Sequence, residues 1–169
     1  MSQETITHWV EALELLPHPE GGFYKETYRS TESHAQGHLP DRFSGDRSYG
    51  TGIYFLLTAG NFSAFHRIQS DELWHFYAGD PLSIHVIHPT GEYVHLKLGQ
   101  QPDLGMPFQQ MVPARSWFAS EVMEGGAYSL VGCTVAPGFD FADFELAEAD
   151  KLSKAFTAHE ALIRRLTRQ

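Results

Sequence analysis

The sequence is short of cysteine, of basic residues, of long apolar runs and of repeats, and each shortage removes a class of protein. Cys133 is the one cysteine among 169 residues. A disulfide within the chain is impossible, so a secreted disulfide scaffold is excluded, and so is a zinc site built on Cys-x-x-Cys pairs. Lys and Arg number 12 against 21 Asp and Glu, a net charge of −9. Nucleic acid and anionic membranes are bound through clustered Lys and Arg, so neither is an expected partner. No apolar run approaches the roughly 18 residues of a membrane span. The first sixteen residues carry Glu4 and Glu11 and no Lys or Arg, so no signal peptide is expected and a cytoplasmic location is. No segment repeats and none is of low complexity, which argues against solenoids and arrays.

What is present is a globular composition, 42% hydrophobic and 20% charged. At roughly 100–200 residues per domain, residues 1–169 are expected to form one domain. Ten His and 13% aromatics direct attention to a site. Ile6, Trp9, Val10, Leu13 and Leu16 fall on one stripe, predicting a helix over 5–15 within an N-terminal helical segment 1–16. Pro17 and Pro19 are expected to end it. Residues 23–30 alternate and read as a strand, and 31–46 read as a long loop. Short strands follow at 49–58, 62–67, 72–78, 82–88, 92–98, 108–112, 116–122 and 127–136, separated by Gly, Pro and Asp. This near-regular spacing predicts an all-β antiparallel sandwich or barrel. A last strand is expected within 139–146. In the tail, 147–169, Thr157-x-x-Glu160 has the form of a capping box before a terminal helix.

One segment concentrates chemistry. Residues 62–80, FSAFHRIQSDELWHFYAGD, contain His66, Glu72, His75 and Gly79. A hairpin turning at Gln69-Ser70-Asp71 would set His66 beside Glu72 on adjacent strands. By alternation, Glu72, Trp74 and Phe76 share one face and Leu73, His75 and Tyr77 the other.

The stretch resembles the first motif of the cupin superfamily: His-x-His, three or four residues, Glu, six residues, Gly. His66, Glu72 and Gly79 fit, and Ile68 stands where the second His belongs. The second cupin motif, Pro-x-Gly-x-x-His, resembles Pro113 to Phe118, with Arg115 at the Gly and Phe118 at the His. The whole chain is similar to the uncharacterised single-domain cupins of bacteria and yeasts, through 15–30, 48–57, 63–87, 112–120 and 128–147. The resemblance implies a double-stranded β-helix jelly-roll barrel over 23–146 and a homodimer. It implies no established reaction. Residues 20–29 also resemble the early strand of metal-free cupin epimerases that act on nucleotide-linked deoxy-sugars. There a His at the first motif position is the base against an acidic partner, and His66 is the matching residue.

Neutral imidazole suits His66 to proton abstraction or metal ligation. Inside a barrel Glu72 must be paired, metal-bound or protonated, and a His66–Glu72 pair would satisfy both groups. Parity puts His75 on the far face, while His85 is a candidate to point inward. Arg47 with Tyr49 is a candidate fork for an anionic group. Tyr54, Trp74, Phe76 and Phe118 are candidate ligand contacts, with barrel core as the ordinary alternative. Lys25, Glu26 and Arg29 have surface ion pairing as theirs. Cys133, in an apolar strand with no basic neighbour, reads as a buried inert thiol.

Three functions remain open. The first is a metal-free epimerase- or isomerase-like enzyme acting on a small polar metabolite of carbohydrate type. In it His66 is the base, Glu72 its partner, and Arg47 or Tyr54 the enolate donor. The second is a metal-dependent cupin, with His66 and Glu72 joined by His75 or His85. Ile68 and Phe118 count against that, and no cofactor is expected. The third is a small-molecule binding protein without catalysis.

Overall fold

The computed structural model describes residues 2–19 and 21–168. Met1, Glu20 and Gln169, which the sequence places in the N-terminal segment, the turn before the first strand and the tail, lie outside the described residues. The chain opens with α1, Ser2–Ala12, then β1, Leu16–Pro17, and β2, Phe23–Arg29. A short pair, β3, Ser33–His34, and β4, Arg47–Ser48, spans the expected long loop. The strands β5, Thr51–Thr58, β6, Phe62–Arg67, β7, Asp71–Gly79, and β8, Leu82–Ile87, follow closely. After them come β9, Tyr93–Leu98, β10, Gln109–Val112, β11, Trp117–Val122, and β12, Tyr128–Ala136. The chain ends with β13, Glu145–Leu146, α2, Ala149–Ala155, and α3, Glu160–Arg165.

The strands form two main antiparallel sheets, ordered β1-β2-β5-β12-β7-β10 and β13-β6-β11-β8-β9. This is a jelly roll, as expected. Alternation fills the space between the sheets. Phe55, Trp74, Phe76 and Val131 from one sheet meet Ile84, Val86 and Phe118 from the other. The outward faces are covered too. Ile6, Trp9, Val10 and Leu13 of the N-terminal segment pack on Leu56 and Leu130. On the second sheet, Leu152, Ile163 and Leu166 cover Phe65, Ile87 and Trp117. Strand β8 is consequently buried along its whole length. Its sequence alternates all the same: Leu82, Ile84 and Val86 enter the core between the sheets, while Ser83, His85 and Ile87 take the covered outer face.

Three local expectations are corrected. The first helix does not run to the prolines. It stops at Ala12, Glu14 takes a left-handed φ of 53°, and Leu15 N–H returns to the Val10 carbonyl at 2.9 Å. That is a C-terminal cap made without glycine, and Pro17 lies beyond it in β1. Within 139–146 the strand is only β13. Phe141–Asp143 instead forms a single 3-10 turn, with the Asp140 side chain accepting from Ala142 N–H at 2.8 Å. The capping box is not made: Thr157–His159 is another 3-10 turn, and Glu160 bonds Arg164 at 2.8 Å.

Both motif glycine positions have a backbone reason. Gly79 sits at φ 91°, and a Cβ there would run into Tyr128. Arg115, in the second motif's glycine position, keeps the left-handed conformation at φ 69°. Arg115 thus holds a conformation that suits glycine better than any residue with a side chain.

Candidate functional site

A cavity of about 370 Å³ opens between the sheets toward the loop after β12. Its floor carries His66, Glu72 and Cys133, with His18 beside them. Ile53, Ile68, Val135 and Phe144 line the walls, while Glu26, Arg29, Thr51, Asp140 and Phe141 also border the space.

A bulge in β6 places His66. Phe118 pairs with His66 while Ser120 pairs with Ser63, so β6 holds one extra residue over that interval. The extra residue lets Ser63 and His66 both line the inner end of the cavity. It also leaves the Ala64 carbonyl 2.7 Å from His66 Nδ1. A carbonyl only accepts, so Nδ1 carries the proton and neutral His66 presents its Nε2 lone pair. The ring packs against Phe118 at 4.2 Å between centroids and is 8% exposed. Burial holds its pKa down at about 4. His18 is likewise held down at about 4 by burial.

Glu72 enters from the other sheet. It lies opposite Val135 of β12 and Val112 of β10, and is also 8% exposed. Burial pushes its carboxyl up to about 7, against a smaller lowering by the Cys133 thiol. The Cys133 thiol is in turn pushed well up, by burial first and by Glu72 second. It is buried, as read from the sequence.

The hairpin that would set His66 beside Glu72 does not form. Strands β6 and β7 belong to different sheets, and Gln69-Ser70 carries the chain across. The two groups face one cavity from opposite walls and do not hydrogen-bond to each other; His66 bonds Ala64 instead. Four further placements correct the sequence reading. Arg47 is no free anion fork: at 4% exposure it donates to both Asp143 oxygens, at 2.8 and 2.6 Å. Tyr49 is exposed beside His34, 4.4 Å away, outside the cavity. Tyr54 faces outward with Tyr77, because its neighbours Ile53 and Phe55 face in. His85 also faces outward, since Ile84 and Val86 fill the interior. It bonds Tyr93 Oη at 2.8 Å and Glu121 at 2.9 Å. His75 lies on the outer face, as parity indicated, bonded to Thr134 at 3.0 Å. Trp74 lines the inner end of the cavity, whereas Phe76 and Phe118 are core. Lys25 pairs with Glu14 on the surface.

The sequence reading passed over His18, Thr51, Asp140 and the aromatic trio Phe139, Phe141 and Phe144. For His18 a signal existed: it lies between Pro17 and Pro19, which fix the backbone on either side. For the trio the spacing imitated a strand.

A family model described as Cupin superfamily (DUF985) matches residues 7–147. The chain belongs to this family. The cupin is 29% identical to an uncharacterized protein of Saccharomyces cerevisiae over 150 residues, 83% of this chain and 72% of the yeast protein. Among solved structures, a hypothetical protein from Leishmania major aligns with a TM-score of 0.88 at 36% identity, covering 96% of this chain and 98% of its own. A protein of Shewanella oneidensis aligns at 0.83 with 39% identity, covering 95% of each chain. No helix among the described residues is long and apolar enough to cross a membrane.

Metal-binding cupins use three His and one Glu. Here Ile68 and Phe118 hold two of the four positions, and His75 and His85 point away from the cavity. Among the described residues, no three His, Cys, Asp or Glu side chains converge as a ligand set. The residues present do not fit a divalent metal, and no chemical step below is routed through one.

Proposed function

We propose that this cupin binds a small polar carbonyl compound between its sheets and moves a proton on the carbon next to the carbonyl. The observation that carries this is the pair of buried proton-exchanging groups on opposite walls of one cavity. His66 presents an Nε2 lone pair from one sheet. Glu72 presents a carboxyl that is close to half-protonated at neutral pH from the other.

In the proposed reaction the C–H bond breaks, its proton goes to His66 Nε2, and its electron pair moves onto the carbonyl oxygen. Glu72 delivers its carboxyl proton to the opposite face of the same carbon, and both groups reset by exchange with solvent. Two groups on opposite walls suit inversion at one carbon, the outcome of an epimerisation. Arg47 and Tyr54 are both committed elsewhere and do not serve as the enolate donor. Tyr24 and Thr51 are hydroxyl-bearing residues that line the cavity. Thr51 Oγ1 accepts from Phe139 N–H at 3.0 Å, which leaves its own proton to donate.

The test is loss of the α C–H signal from keto-sugars and α-hydroxy ketones in deuterated water, followed by NMR with and without a chelator. Catalysed, chelator-insensitive exchange is expected, falling by about 100-fold or more in His66→Asn and Glu72→Gln. Its pH profile should be a bell. Activity needs His66 unprotonated and Glu72 protonated, so the limbs should lie near pH 4 and pH 7. Ligand-induced shifts at these residues without exchange would mark a binding protein instead. Exchange that a chelator abolishes would mark a metal-dependent one.

A further inference from the structure

We propose that the ligand of this cavity carries a protonated amine held at the mouth, with its uncharged carbonyl end facing inward. The proposal deepens the reading above and rests on the same cavity. Charge is the first support. Three carboxyl side chains, Glu26, Glu72 and Asp140, line the space against one guanidinium, Arg29. Arg29 is already engaged, donating to Glu26 at 2.6 Å and to the Phe139 carbonyl at 3.0 Å. The lining imidazoles, His18 and His66, stay neutral at cytoplasmic pH because burial opposes their protonation. An anionic group entering here would find no uncommitted cation: Arg29 is paired with Glu26, and among the described residues Asp140 is left without a cationic partner at the opening. The whole chain, at −9, favours approach by cations.

Aromatic faces are the second support. Phe139, Phe141 and Phe144 lie within 5.0 to 6.4 Å of one another, centroid to centroid, around the same opening. Phe141 is 65% exposed. An apolar ligand body would use these rings but not the carboxylates. A neutral polar group would use the hydrogen bonds but leave the charge unmatched. An alkylammonium uses both, since it is attracted to a carboxylate and to an aromatic face. Asp140 is suitably free for this: Oδ1 holds Ala142 N–H at 2.8 Å, and among the described residues no protein group holds Oδ2.

Three phenyl ketones that differ in the group beside the carbonyl provide the test: α-aminoacetophenone, α-hydroxyacetophenone and phenylglyoxylate. Dissociation constants are measured by protein-observed NMR on the full chain at pH 6.5. The amine should bind about tenfold or more tightly than phenylglyoxylate, with the hydroxy ketone between them. In the Glu26→Gln, Asp140→Asn double variant, amine affinity should fall to that of the hydroxy ketone. Arg29→Gln should leave it undiminished, so the two variants move in different directions even if both are less stable. Phenylglyoxylate binding as tightly as the amine would overturn the proposal. So would an amine affinity unmoved in a folded double variant, or no amine binding at millimolar concentration. The expected order of affinities without deuterium exchange would sink the proton-transfer reading alone. Exchange on hydroxy ketones with no preference for the amine would sink this one alone.

Discussion

Glu72 is the residue at which burial has the largest chemical consequence. A carboxyl that titrates at about 7 in the fold and at the ordinary 4.5 when unfolded opposes folding once it ionises. Below pH 4.5 it is protonated in both states and has no effect. The opposing contribution grows between about 4.5 and 7 and is complete above that. Replacing Glu72 with Gln removes it. Urea melts should therefore show Glu72→Gln more stable than the parent by on the order of 2 kcal/mol at pH 8, with the gain shrinking toward zero at pH 4.5. A constant difference across that range would mean that the carboxyl is not desolvated. His18 and His66 act in the other direction. Their folded pKa values lie below 6.5, so the stability they contribute is present above pH 6.5 and is lost as pH falls toward 4. Two such groups outweigh one Glu72, and the parent should lose stability on acidification.

At the scale of elements, the Arg47–Asp143 pair ties the cavity mouth to the barrel. Asp143 closes the 3-10 turn that carries Phe141 and precedes Phe144, and both of its oxygens are held by a guanidinium from β4. Removing one partner leaves the other charge buried. Asp143→Ala should cost about 3–5 kcal/mol in chemical denaturation, and Arg47→Ala a similar amount. The double variant should cost clearly less than the sum. Additivity would show that the two side chains act independently. This element also shows the limit of reading from sequence. The long strands were legible because Gly, Pro and Asp mark their ends and alternation marks their faces. Parity alone placed His75 outside and Glu72 inside. His85 and Tyr54 were cavity candidates for their chemistry alone, whereas the alternation of Ile84 and Val86 around His85, and of Ile53 and Phe55 around Tyr54, puts both on the outer face. Arg47 was misread because its partner is 96 residues away. The mouth was read as strand because Phe139, Phe141 and Phe144 fall at near-strand intervals, while the Asp140 cap overrides that spacing.

At the scale of the whole molecule, the cavity exists because consecutive strands β6 and β7 cross between sheets. A sequence motif as short as His66 to Glu72 thereby supplies both walls. The outer face of the six-stranded sheet leaves Tyr77 and Met111 substantially exposed, near its β10 edge. Apolar side chains grouped on one face are consistent with the homodimer that family resemblance leads one to expect. Sedimentation equilibrium should then give about twice 19.0 kDa, and Tyr77→Glu with Met111→Glu should shift it toward the monomer. A parent protein that sediments as a monomer would remove the dimer from the account.

The central claim is that the fold keeps two groups, facing each other across one cavity, in protonation states suited to moving a proton. The most direct test is a 13C NMR titration of the Glu72 side-chain carboxyl, assigned by its loss in Glu72→Gln. The expected midpoint is close to 7, with the His66 ring neutral across that transition and protonated at Nδ1. A midpoint near the ordinary 4.5, or a His66 ring already charged at neutral pH, would contradict it.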